Sequence, residues 1–237
     1  MIESVDVIGA RGRVGSAVSA RLAERGIVRR DRDPDVVLLC VPDRAIADVA
    51  AAVDPGPWLA HVSGGTPLAA LAPHVRRFSL HPLQTFTHDR GPEQLDGAWA
   101  AVTGETEEAL AVATALAEQL GLRPFTLDDD RRALYHAGAA IASNYLVTLR
   151  RAAGVLLAAA DAPEEALEPL MRRTIENDFQ LTGPIERGDW ATVERHRTAI
   201  AAHAPDILPA YDALAELTAS NLAVPSASHT VSQVRSA

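Results

Sequence analysis

Glycines at positions 9, 12 and 15 follow the apolar run Val5–Ile8 and lead into the helical pattern Val14–Glu24. A strand, a glycine turn and a helix in this order commit the N-terminal segment to an α/β unit with a parallel sheet. Glycine lets the chain turn tightly, and the helix start that follows offers free amides and a partial positive charge to an anion. Gly9, Arg11, Gly12, Arg13, Val14 and Gly15 are therefore candidate phosphate-binding residues.

The next strand candidate, Val36–Val41, begins soon after the first helix ends near Gly26. A complete nucleotide-binding half places a strand, a helix and another strand in that gap. Four residues, Ile27 to Arg30, reach about 14 Å when fully extended, which leaves nothing for a reversal. The expected sheet is thus truncated on one edge, its second and third strands missing. Asp31 and Asp33 stand near the sequence distance of a ribose-reading carboxylate, although a solvated turn explains them as well.

Further strand-like segments at Trp58–Val62, Phe78–Leu80, Ala98–Val102 and Pro124–Leu127 alternate with helical ones at Ile46–Ala52 and Glu107–Leu120. After Leu127 the pattern is helical only. A long helix is expected from Asp128 to about Ala160, a second opens at Pro163, Asp189 caps a third and Pro205 starts a fourth. The expected organisation is a truncated α/β domain over 1–127, a helical domain over 128–224 and a frayed tail over 225–237. Long Ala- and Leu-rich faces in the helical part predict a homodimer through those helices.

The net charge of −9 argues against nucleic acid or an anionic membrane as partner. No apolar run is long enough to span a bilayer and no secretory pattern opens the chain, so a cytoplasmic setting is expected. Cys40 is the single cysteine, placed in a predicted buried strand. All 22 basic residues are arginine, so no lysine amine exists for Schiff-base chemistry and arginine is too basic for ordinary proton donation. His196 and His203 lack a third ligand, and no metal site is expected.

Two motifs end predicted strands: His61-Val62-Ser63-Gly64-Gly65 and Ser79-Leu80-His81-Pro82-Leu83-Gln84-Thr85-Phe86. Carboxyl ends of parallel strands line the ligand crevice. A histidine there moves protons near neutral pH, and a serine on the neighbouring strand can hold its ring. On the helix after Leu127, Arg132, His136 and Ser143 share a face with Asn144 at its edge.

These stretches, with Gly9–Gly15, Val36–Asp43, Tyr135–Leu146 and Leu181–Asp189, resemble a bacterial family of Rossmann-like oxidoreductases with a helical C-terminal domain of unassigned function. That family is related to ketopantoate reductase, prephenate dehydrogenase and the 6-phosphogluconate dehydrogenase superfamily. In prephenate dehydrogenases a His-Pro-Met motif supplies the catalytic histidine with help from a serine, and His81 and Ser63 resemble that pair. The resemblance implies NADP as cofactor, its nicotinamide near Pro42, Ser63 and His81. His136 would join the acid–base chemistry. Arg132, Ser143, Asn144 and Gln84 would hold a small anionic metabolite. Superfamily reductases commonly carry a lysine on the matching helix, and this chain has none. Thr182–Asp189 reads equally as turn chemistry and as a site element.

Three activities stay open at this point. One is an NAD(P)-dependent oxidoreductase acting on a small oxo or hydroxy acid. The second is a non-redox acid–base enzyme, such as an isomerase, cyclase or lyase, on a scaffold that lost its cofactor. The third is a non-catalytic dimer that binds a small anion. The shortened edge predicts weak cofactor binding, with Arg29 and Arg30 favouring NADPH over NADH.

Overall fold

The computed structural model describes residues 2–30 and 32–223. The frayed tail expected over 225–237, and Asp31, lie outside the described residues. Two compact units divide the described residues, with the boundary after Asn144.

The first unit is built on seven strands: β1 (Ser4–Ile8), β2 (Val28–Arg29), β3 (Val36–Leu39), β4 (Trp58–His61), β5 (Arg77–Pro82), β6 (Trp99–Gly104) and β7 (Arg123–Thr126). Their spatial order is β2-β1-β3-β4-β5-β6-β7. All neighbours are parallel except β5 and β6, which pair antiparallel. Alternating side chains fill both faces. Val36 and Leu38 enter one core with Val18, Leu22, Phe78 and Leu116. Val37 and Leu39 enter the other with Ile46, Leu59 and Leu68. A strand buried on both sides reads as a continuous apolar run, as Val36–Leu39 does. Three helices of this unit, α1 (Arg13–Glu24), α2 (Ile46–Ala51) and α3 (Glu107–Gln119), connect strands.

This is the truncated Rossmann-like sheet the spacing requires, with one difference in detail. Ile27–Arg30 is not too short to pair: Val28 and Arg29 form a two-residue strand parallel to β1. The return is possible because Asp33 adopts a left-handed φ of 49°. The Asp35 carboxylate then accepts from the backbone amides of Glu3 and Ser4 at 2.8 and 2.9 Å, pinning the chain beside β1. The stub occupies the second-strand position, and among the described residues no third strand follows it.

The compact units divide later than the expected boundary at Leu127. The segment after β7, including α4 (Arg132–Ala140), belongs to the first unit. Its anchor is Arg132, 1% exposed, whose guanidinium is bonded into strands β5 and β6. The expected long helix is also interrupted. A π-helical turn, Ile141–Tyr145, lies between α4 and α5 (Leu146–Ala159).

The second unit contains α5, α6 (Leu167–Glu176), α7 (Trp190–His203) and α8 (Leu208–Ala223). Asp189 caps α7 through a bond from the Thr192 amide at 3.0 Å. Gly188, at φ 70°, makes the turn before that cap. Arg187 donates to the Thr182 carbonyl, so Thr182–Asp189 acts here as a self-bonded helix entry. No helix among the described residues is long and apolar enough to cross a membrane.

Candidate active site at the carboxyl ends of the strands

The glycine turn is fixed by close approach. Gly9 has φ 91°, and a Cβ on it would lie 2.3 Å from the Cys40 carbonyl oxygen at the end of β3. A Cβ on Gly15 would lie 2.2 Å from the Gly9 carbonyl. These two glycines therefore press α1 onto the β1 turn, while the Gly12 amide closes it on Gly9 O at 2.9 Å. The helix start has no side-chain cap and no acidic residue in its first turn. The amides of Arg13, Val14 and Gly15 are thus available to an anion, with exposed Arg11 and Arg13 adding positive charge. A pyrophosphate fits this cradle.

Arg13 and Val14 also line a cavity of about 710 Å³ shared with His81, Gln84, Tyr135 and His136. The π-helical turn brings both Ser143 and Asn144 to the same wall. Ser143 spends its hydroxyl proton on the Ala139 carbonyl at 2.7 Å, leaving its lone pairs to the cavity. Gln84 accepts from the Thr85 amide at 2.8 Å, so its side chain is held in place. Pro42 is exposed and starts a short 3-10 turn after β3. It is absent from this cavity wall.

Two expected roles are corrected. Ser63 does not hold His81. Its hydroxyl donates to Asp43 Oδ2 at 2.8 Å and accepts from the amides of Gly65 and Thr66 at 3.2 and 3.0 Å. It is consumed in shaping the loop after β4. Arg132 does not offer a fork to a substrate carboxylate. Nε pairs with Asp129 at 3.0 Å, and Nη1 bonds the Ser63 carbonyl at 3.1 Å. Nη2 donates to Thr103 Oγ1 at 2.8 Å and to Ser79 Oγ. Ser79 and Thr103 are cross-strand partners, so one guanidinium end clasps both hydroxyls.

His81 instead meets Tyr135, whose hydroxyl lies 2.7 Å from Nδ1. The His136 ring stands at 89° to His81, with centroids 6.1 Å apart. Gly64 makes room for both: a Cβ there would come within 2.8 Å of His81 Nε2 and of His136 Cδ2. Burial pushes His81 down to about 4, with the charges of His136 and Arg132 adding to the effect. Burial pushes the Tyr135 phenol up to about 12, partly offset by Arg132. His61 is fully buried, accepts from the Ser63 amide at 3.2 Å, and is likewise pushed down to about 4 by burial. Tyr135 directly precedes His136 on α4, and its phenol is the side chain that the fold places on His81.

Residues 98–218 match the family model described as Domain of unknown function (DUF2520). The chain belongs to the DUF2520 family. Its fold recurs in solved structures. A protein of Bacteroides fragilis assigned to the NADP oxidoreductases is 19% identical, with 92% of this chain and 98% of that one covered and a TM-score of 0.75. A Thermotoga maritima protein is 25% identical, with 93% and 100% covered and a TM-score of 0.74. A reductive aminase from Aspergillus terreus, solved with NADPH and ethyl levulinate, is 16% identical, with 93% and 95% covered and a TM-score of 0.62. No curated protein matches. The DUF2520 chain thus has the Rossmann-like oxidoreductase fold, and its matched region runs from the edge of the sheet through the helices of the second unit.

Proposed function

We propose that this DUF2520 protein is an NADP-dependent reductase of small oxo acids. One observation carries the reading: a single cavity joins the start of α1 to His81 and Tyr135. The α1 amides and Arg13 would hold the pyrophosphate, and Arg30, exposed just beyond β2, would meet the 2′-phosphate. When bound, the cofactor supplies a hydride. The protein's share is to orient the substrate and to deliver a proton to the developing alkoxide. His81 is placed for the proton. Gln84, Ser143, Asn144 and His136 line the wall where a small polar substrate would be held. With Arg132 buried, substrate recognition rests on neutral amide and hydroxyl groups together with His136. The Bacteroides fragilis and Aspergillus terreus likenesses support a nicotinamide cofactor.

The test is a titration of purified protein with NADPH and NADH, followed by nicotinamide fluorescence, then NADPH oxidation with ketopantoate and related 2-oxo acids. Saturable NADPH binding with weaker NADH binding is expected. Absence of binding by either would favour a second reading, supported by the two-residue edge strand that shortens the adenosine seat. In it His81 and His136 run acid–base chemistry on one substrate without hydride transfer.

We also propose that the second unit pairs with a second copy. Leu170, Phe179, Trp190 and Leu217 on it are 64%, 69%, 55% and 57% exposed. Large apolar side chains in such number mark an association surface. Light scattering at micromolar concentration should report a dimer, and a monomer would end the proposal.

A further inference from the structure

We propose that Tyr135 is a positioning residue that sets the proton on His81: its phenol donates to Nδ1 and holds the imidazole in the tautomer protonated at Nε2. The inference rests on the reductase reading for its catalytic consequence, but the tautomer itself is a property of the protein alone.

The Tyr135 hydroxyl and His81 Nδ1 are 2.7 Å apart and share one proton between them. A phenol is the stronger acid of the two neutral groups and an imidazole nitrogen the stronger base, so the phenol donates. Burial keeps both groups neutral near pH 7, with His81 at about 4 and Tyr135 at about 12. The ring therefore carries one proton, and it resides on Nε2. That nitrogen lies on the Gly64 side of the ring, close to His136. Among the described residues no side chain or carbonyl is bonded to it.

A neutral imidazole is a very weak acid by itself. It becomes an effective donor when Nδ1 gains a proton as Nε2 loses one. In the reductive direction the N–H bond at Nε2 breaks as an O–H bond forms on the substrate alkoxide. The phenol O–H breaks as an N–H bond forms at Nδ1. The charge rests on a phenolate. His81 keeps one proton, now on Nδ1, until water protonates Nε2 and the Nδ1 proton passes back to the phenolate, which restores the starting tautomer.

Nitrogen-15 NMR of histidine-labelled, cofactor-free full-length protein tests this, with His81→Ala assigning the signals. Wild type should show a protonated Nε2 and an Nδ1 shifted by a strong hydrogen bond. In Tyr135→Phe the Nδ1 shift should be lost and the proton should spread over both nitrogens. A proton on Nδ1 in wild type, or identical His81 signals in Tyr135→Phe, would overturn the proposal. With NADPH and ketopantoate, Tyr135→Phe should lower kcat about 10- to 100-fold with KM within about twofold. An unchanged kcat would also overturn it. If wild type itself neither binds NADPH nor reduces ketopantoate, the reductase reading fails, and the NMR result still decides the tautomer.

Discussion

Arg132 Nη2 donates to Thr103 Oγ1 at 2.8 Å, and this bond ties α4 to strand β6. The same guanidinium reaches β5 through Ser79, the loop after β4 through the Ser63 carbonyl, and Asp129 through Nε. It is a structural clasp under the crevice. Replacing it with Met should destabilise the protein by about 3–5 kcal/mol, because three buried acceptors lose this donor and Asp129 loses its ion pair together. Urea denaturation measures this. A loss below about 1 kcal/mol would show that the clasp is dispensable.

The glycine turn makes a separate prediction for binding. Gly15→Ala would put a methyl 2.2 Å from the Gly9 carbonyl and force α1 away from the turn. NADPH affinity should fall at least about tenfold, the loss of roughly one good hydrogen bond to a charged group. Calorimetric titration of a variant that remains folded by circular dichroism is the check. Unchanged affinity would remove the turn from the cofactor site.

Discrimination between the two nicotinamide cofactors should follow Arg30. Arg30→Ala should weaken NADPH by about 1–3 kcal/mol and leave NADH unchanged, since only NADPH carries the 2′-phosphate. Equal losses for both cofactors would place Arg30 elsewhere in the binding surface.

His81→Ala should reduce turnover by about 10²- to 10⁴-fold with cofactor affinity retained. Gly64→Ala should also slow turnover, because its methyl would enter the 2.8 Å space beside His81 Nε2 and His136. Ser63→Ala is expected to cost stability through the Asp43 and Thr66 contacts, without a specific effect on the pH dependence of turnover. A wild-type rate in His81→Ala would remove His81 from the mechanism.

Acid stability follows from the two buried histidines. His61 and His81 titrate in the folded protein at about 4, against an ordinary 6.5. The unfolded chain binds more protons between those values, so stability is full above about pH 6.5 and falls as pH drops towards 4. For fully buried His61 the shift corresponds to on the order of 3 kcal/mol. Thermal melts from pH 7 to pH 4 should show the decline, and His61→Gln should make it shallower, with the His81 contribution remaining. A flat wild-type profile would show that these rings are already solvated when folded.

Local chemistry determined what the sequence by itself could decide. Gly9 and Gly15 serve a turn whose partners lie within a few residues or on the adjacent strand, so their spacing announced both the turn and the helix start. Asp189 announced its cap for the same reason, since its acceptor role concerns an amide three residues away. The near absence of the second strand was legible as a chain length, because a short connection has a finite reach. The roles of the polar residues were decided by tertiary structure. His81 and Tyr135 are 54 residues apart, and Arg132 and Ser79 are 53 apart. Helical periodicity placed Arg132 and His136 on one face of α4 but carried no information about depth. Packing against β5 and β6 buried the first and left the second exposed at the cavity. Burial and pairing, set only when α4 docks on the sheet, made one arginine a clasp and gave His81 a tyrosine in place of the serine its motif implied.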